Sequence, residues 1–190
     1  ICANCFGRYL QSAAHSLETA IVANAFIYVG SCFVPLVMVY FLTGLCGFKP
    51  PKWWRIALVV YSTAMFCCAL TVGHLPWYYS RVELVEENGY RYLLKEYGPA
   101  HSLFVAMMIL YGGLMAFFII YTIKNRKKMA IQTTITISGL GLAVFSMYIL
   151  EQILHPKVSL LTLGYLGGIL FLIGYYKRLK LYDMSSNIAI

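Results

Sequence analysis

Apolar residues recur along the chain in runs of about 20, each closed by a short polar or basic stretch, and that length matches the hydrocarbon thickness of a bilayer. The runs predict helices over roughly 19–46, 54–71, 102–123, 129–150 and 158–176, with residues 1–12 as the tail of another helix. Ser16, Leu17, Glu18 and Thr19 form an N-cap signal ahead of the first full run. Pro35 sits in the middle of that run and is expected to kink it, because the ring removes one backbone donor and crowds the preceding turn. The chain starts at Ile1 with no charged flank, which reads as a cut from a longer protein and not as a signal peptide.

One long polar island interrupts the apolar pattern, from Leu75 to His101. It contains Asn88-Gly89, the dipeptide best suited to a two-residue hairpin turn, since both central residues of that turn need positive φ. Centring the turn there predicts strands over 79–97 in which Glu87 faces Tyr90, Glu86 faces Arg91, Leu84 faces Leu93, Val82 faces Lys95 and Arg81 faces Glu96. Two of these rungs set opposite charges side by side, which favours the register. An isolated hairpin is marginal in water, so this one is expected to rest on the mouth of the helices. The fold class is therefore an all-α membrane bundle, five complete transmembrane helices plus part of a sixth, with a β-hairpin between the spans at 54–71 and 102–123.

Composition sharpens this picture. The chain is 61% hydrophobic and 12% charged, about half the charge of a soluble domain. Tyrosine leads the aromatics with 16 residues, as suits side chains that anchor at an interface. The net charge of +8 is a matter of topology and not of nucleic acid. Ten of the 15 Lys and Arg fall in the loop around Lys49–Arg55, the run Lys124–Lys128 and the exit Lys177–Lys180, whereas six of the seven acids fall on the opposite side. The excess of cations marks the cytoplasmic face. The hairpin and the link Glu151–Lys157 then lie outside, the C-terminus inside, and 177–190 forms a cytoplasmic exit from a sensor bundle spanning 1–176.

Six cysteines, at 2, 5, 32, 46, 67 and 68, all sit in apolar runs and read as free thiols packed as small hydrophobes. Cys2-x-x-Cys5 has no second pair at zinc spacing, and no metal or cofactor is expected. Small and polar residues at helical spacing, Gln132, Thr136, Gly139, Ala143 and Ser146, predict a packing face or a polar path. Gly164-x-x-x-Gly168 predicts close helix approach, and Gly112-Gly113 and Gly167-Gly168 mark places to bend or slide.

Candidate chemistry gathers at the outer ends of the helices. His15, His74, His101 and His155 all fall there, near Glu151 and the run Trp77-Tyr78-Tyr79, and Asn24, Tyr28 and Ser31 share one face of the first full helix. Three readings stand: tolerated interfacial residues, a small-ligand pocket capped by the hairpin, or a metal or pH-sensing cluster. Glu151 and His155 are one turn apart but lack the repeated spacing of a membrane metalloenzyme. No phosphate loop, no nucleophile elbow and no mid-span Asp or Lys is present, which weighs against catalysis and ion-coupled transport.

The order Tyr28-Val29-Gly30-Ser31 then Pro35, Thr71 to His74 with Tyr78-Tyr79, Tyr97-Gly98-Pro99-x-His101, and the basic exit with Tyr182-Asp183 resembles the N-terminal seven-helix sensor region of bacterial membrane histidine kinases and related diguanylate cyclases. The resemblance runs from about Arg8 to Asp183, and relative to the family the first helix, most of the second and the output domain are missing. It implies a non-catalytic receptor in a bacterial plasma membrane, an unidentified small-molecule or membrane stimulus, a C-terminal output domain in cis and a homodimer. A fragment of a transporter or channel is the alternative, and a membrane enzyme the third reading.

Overall fold

A computed structural model describes residues 2–87, 90–125, 128–154 and 160–188. In chain order these form α1 (Cys2–Ser12), α2 (Leu17–Cys46), α3 (Lys52–Leu70), β1 (Tyr79–Glu87), β2 (Tyr90–Tyr97), α4 (His101–Lys124), α5 (Lys128–Leu154) and α6 (Leu160–Ile188). They divide into two units, Ile1–Leu142 and Ala143–Ile190. Among the described residues four stretches are long and apolar enough to cross a membrane: Leu17–Cys46, Lys52–Leu70, His101–Lys124 and Thr133–Glu151. Leu160–Tyr175 is apolar but shorter. The protein is thus a mostly helical membrane protein with one small antiparallel hairpin.

Local chemistry sets the element ends. Ser16 accepts from the Thr19 amide while Thr19 Oγ1 accepts from the Ser16 amide, both at 3.2 Å, closing a capping box on α2. Such a cap contributes about 1 kcal/mol. Gly47 ends α2 in the left-handed region at φ 62°, where a side chain would be strained. Pro35 lies buried inside α2, which is assigned as one continuous helix of 30 residues around it. The last helix does not stop near Tyr176. α6 runs on through the basic exit to Ile188, a stretch with neither Gly nor Pro beyond Gly174, so nothing in it interrupts the helix.

In the first unit α1 and α2 pack antiparallel and very closely. A Cβ placed on Gly7 would lie 2.7 Å from the Ala23 carbonyl oxygen, and one on Gly30 would lie 2.6 Å from Asn4 Cβ. Asn4 Nδ2 donates across this crossing to the Ile27 carbonyl at 3.0 Å and to Ser31 Oγ at 3.3 Å. At the other end of α2, Cys46 Sγ lies 3.0 Å from Thr122 Oγ1 and 3.6 Å from Thr134 Oγ1, joining α2, α4 and α5. Thr122 itself donates to the Phe118 carbonyl at 2.8 Å, so the thiol is the donor to Thr122. All six cysteines are free thiols.

Within the first unit α5 buries Thr134, Ser138 and Gly141, whereas Thr136 and Gly139 of the expected small-residue face are half-buried; Ala143 and Ser146 belong to the second unit, and the Gln132 side chain lies outside the described residues. Two small-residue faces sit side by side on this helix, and spacing alone does not choose between them. Within the second unit, a Cβ added at Gly164 would lie 2.6 Å from Met147 Sδ, the far end of a flexible side chain. Gly113 and Gly167 face open space.

The hairpin register matches every predicted rung from Glu87–Tyr90 to Arg81–Glu96, with an irregularity between Tyr79 and Arg81. The turn residues Asn88 and Gly89 lie outside the described residues. Of the two charged rungs one forms an ion pair, Arg91 to Glu86 at 2.8 Å. Arg81 turns instead to Glu83 on its own strand, at 2.5 Å. The inner face of the hairpin rests on the turn between α1 and α2, where Leu93 packs with Ala14 and Ala20, flanked by Val82 and Leu84. Arg91 adds a bond to the Ala14 carbonyl at 3.2 Å and a contact with His15 Nδ1.

Candidate functional site

Alternation along β2 puts Arg91, Leu93, Lys95 and Tyr97 on one side of the strand, and the Leu93 packing shows that this side faces the helices. Lys95 therefore reaches inward. Its ammonium donates to Asn24 Oδ1 at 2.7 Å and lies 5.3 Å from the centre of the Tyr79 ring. Asn24 is buried on α2. One turn further along, the Tyr28 hydroxyl is hydrogen-bonded to the Tyr79 hydroxyl, so the foot of the hairpin is joined to α2 twice.

Around this junction the aromatic rings close into one cluster. Tyr28 meets Tyr78 edge-on at 5.2 Å and Phe104 at 5.5 Å, and Tyr78 meets Tyr79 at 5.0 Å and His101 at 5.5 Å. Tyr97 stacks on His101 at 3.8 Å. Burial pushes the Tyr79 phenol well above its ordinary range, the Tyr28 hydroxyl adds to the rise, and Arg8 pulls the other way. The Tyr79 phenol is thus neutral at physiological pH.

The segment Tyr97-Gly98-Pro99-Ala100-His101 is fastened to the strand opposite. Gly98 N donates to the Tyr78 carbonyl at 2.9 Å and Ala100 N to the Trp77 carbonyl at 3.0 Å. A Cβ on Gly98 would lie 2.4 Å from the Trp77 carbonyl oxygen. Only glycine fits where two backbones come this close.

The predicted site residues therefore separate. Asn24, Tyr28, Tyr78, Tyr79 and His101 come together under the hairpin, and Ser31 lies one turn deeper at the α1 crossing. His74 and Trp77 have exposed side chains. Glu151 belongs to the second unit, where its Oε2 accepts from the Leu161 amide at 2.9 Å and caps the first turn of α6. His155 lies outside the described residues. The other three histidines stand apart, His15 with Arg91, His74 exposed and His101 among the rings. Among the described residues no group of three His, Cys, Asp or Glu side chains is placed to hold a metal.

Sequence reasoning read α1 only as the tail of a helix and overlooked its buried face and Lys95. Asn4, Gly7 and Gln11 are all buried on one face of α1. Their spacing of three and four residues was a readable sign of a helix face. The inward direction of Lys95 followed from the predicted register, because it shares parity with Leu93.

No curated protein and no solved structure matches the chain. The model of one family, described as the N-terminal 7TM region of histidine kinase, matches residues 1–185. That match covers nearly all of the helices and hairpin described above, and the chain belongs to this family of histidine kinase membrane sensor regions.

Proposed function

We propose that the chain is the receiving part of a bacterial signal-transduction protein. It takes a stimulus at the hairpin side, outside the cytoplasm, and passes it to a C-terminal output domain, a histidine kinase or a diguanylate cyclase. The chain itself is non-catalytic and works as a homodimer. The observation that carries this reading is α6, which is helical from Leu160 to Ile188. Its apolar part ends at Tyr175. It then continues as helix through Lys177, Arg178 and Lys180 to Tyr182-Asp183. A helix that leaves the apolar stretch without a break delivers rotation or translation to whatever follows it. The partition of cations and acids supports the orientation, with the glutamate-bearing hairpin outside and the Lys124–Lys128 loop inside.

Topology is tested with a cysteine-free background carrying either Asn88→Cys or Lys127→Cys in intact cells. An impermeant maleimide should label the first and not the second. Labelling of both from the same side overturns the orientation and the receptor reading with it.

A further inference from the structure

Lys49, Lys52, Arg55 and Lys124 stand exposed where α2 ends, α3 begins and α4 ends. Residues 19–82 and 97–150 contain no Asp or Glu, so none of the four finds a carboxylate on the elements that bear it. Packing draws these ends together. Phe48 sits among the rings of Phe117, Phe118 and Tyr121, with centroids 5.7, 5.8 and 5.3 Å away. Lys49 follows Phe48 directly, and Lys124 lies one turn beyond Tyr121. Pro50 and Pro51 stiffen the link from Lys49 to Lys52.

Membrane topology asks only for the number of cations on this side. The place of Arg55 asks for more. α3 has 19 residues, which makes it about 28 Å long, close to the hydrocarbon thickness of about 30 Å. Its two ends therefore lie at the two boundaries, and Arg55, three residues from the start, lies about 4.5 Å inside. The Tyr40 hydroxyl donates to the Arg55 carbonyl at 2.6 Å and ties that turn of α3 to α2. From this depth a guanidinium reaches up to the level of the lipid phosphates. Lys52, Arg55, Ile56 and Val59 follow at three- and four-residue steps on one face of α3, and all are exposed. The cations thus crown an open apolar strip, with Ile56 61% exposed and Trp53 beside it 69% exposed. A free anion would use only the cations, whereas a lipid uses the strip as well. We propose that Lys52 and Arg55, with Lys49 and Lys124 beside them, bind the headgroup of an anionic phospholipid whose acyl chains lie along Ile56 and Val59. The inference rests on the chain spanning a membrane and not on the receptor reading, which its failure would leave standing.

The test uses the whole chain with Trp54→Phe and Trp77→Phe, which leaves Trp53 as the sole tryptophan. In bilayers of phosphatidylcholine, quenching of Trp53 by brominated phosphatidylglycerol is compared with quenching by brominated phosphatidylcholine at equal mole fraction. Phosphatidylglycerol should be preferred about fivefold or more, the weight of one cation beside an anionic lipid. Lys52→Gln and Arg55→Gln should each bring the ratio towards one, and Arg55→Lys should keep it. Lys52 is exposed at a helix end, so Lys52→Gln carries the test even if Arg55→Gln fails to fold. Equal quenching by the two lipids overturns the proposal. A preference that survives both glutamine variants does so too, since it would report diffuse charge and not a site. A preference that excess inorganic phosphate removes overturns the lipid as occupant in favour of a free anion.

Discussion

The two ends of α2 solve the same problem in opposite ways. At the Cys46 end three helices meet through one thiol and two hydroxyls, and the proton order runs from Thr134 to Cys46, to Thr122, to the Phe118 carbonyl. Each of these groups is small, and each finds a partner. At the Asn24 end the groups are long, aromatic or charged, and the amides of Gln11 and Asn24 keep donors unused. In a bilayer the first arrangement is what helix association asks for. The second holds polarity that packing does not require. The difference teaches how unevenly polarity is settled along one helix: the Cys46 end is closed by its own hydrogen bonds, and the Asn24 end keeps buried amide donors unpaired.

The most severe way to break the contrast is at the hairpin foot. Gly98→Ala drives a methyl into the Trp77 carbonyl oxygen and should cost about 3 kcal/mol or more, in the range of severe backbone effects, read as a fall in the thermal midpoint in detergent. A midpoint within a degree of the parent would mean that the close approach is not maintained. Next come two conservative deletions that sharpen the comparison. Tyr79→Phe leaves the buried Tyr28 hydroxyl without its partner and should cost about 1–3 kcal/mol. Thr122→Val removes the acceptor of the Cys46 thiol and should cost only about 0.6 kcal/mol, as interhelical bonds in membranes usually do. Equal losses from the two would erase the distinction between the ends. The smallest effect is expected from Glu86→Gln, since its pair with Arg91 is largely exposed on the glutamate side and should contribute under about 1 kcal/mol. That loss should vanish at high salt, and its persistence would show that the pair is more enclosed than its geometry implies.

Much of the fold was legible because its signals are local. Run length located the helices, Ser16 with Thr19 located the start of α2, and Asn88-Gly89 fixed a register that every rung from Glu87–Tyr90 to Arg81–Glu96 obeys. The site was only half legible. Asn24 and Tyr28 announced themselves by helical spacing and Tyr78-Tyr79 by their place at the hairpin base. Which histidine would enter the cluster depended on the Gly98 crossing, a contact between backbones that no side-chain pattern encodes. Gln11 escaped notice because α1 is short and reads as a fragment of an apolar run. Only its packing against Gly30 and Ala23 shows that it has an inner face. Glu151 was read as a candidate from its place near an aromatic run, and its partner, the Leu161 amide ten residues on, is a contact that no local pattern encodes.

The stitch at Gly98 has a mechanical corollary. Because the Tyr78 and Trp77 carbonyls hold the amides of Gly98 and Ala100, the foot of the hairpin and the first turn of α4 are coupled into a single lever. The hairpin cannot swing open about its base while α4 stays still. Any tug that a bound molecule exerts on the strands should emerge as a tilt or twist of that helix, carried inward along its whole length.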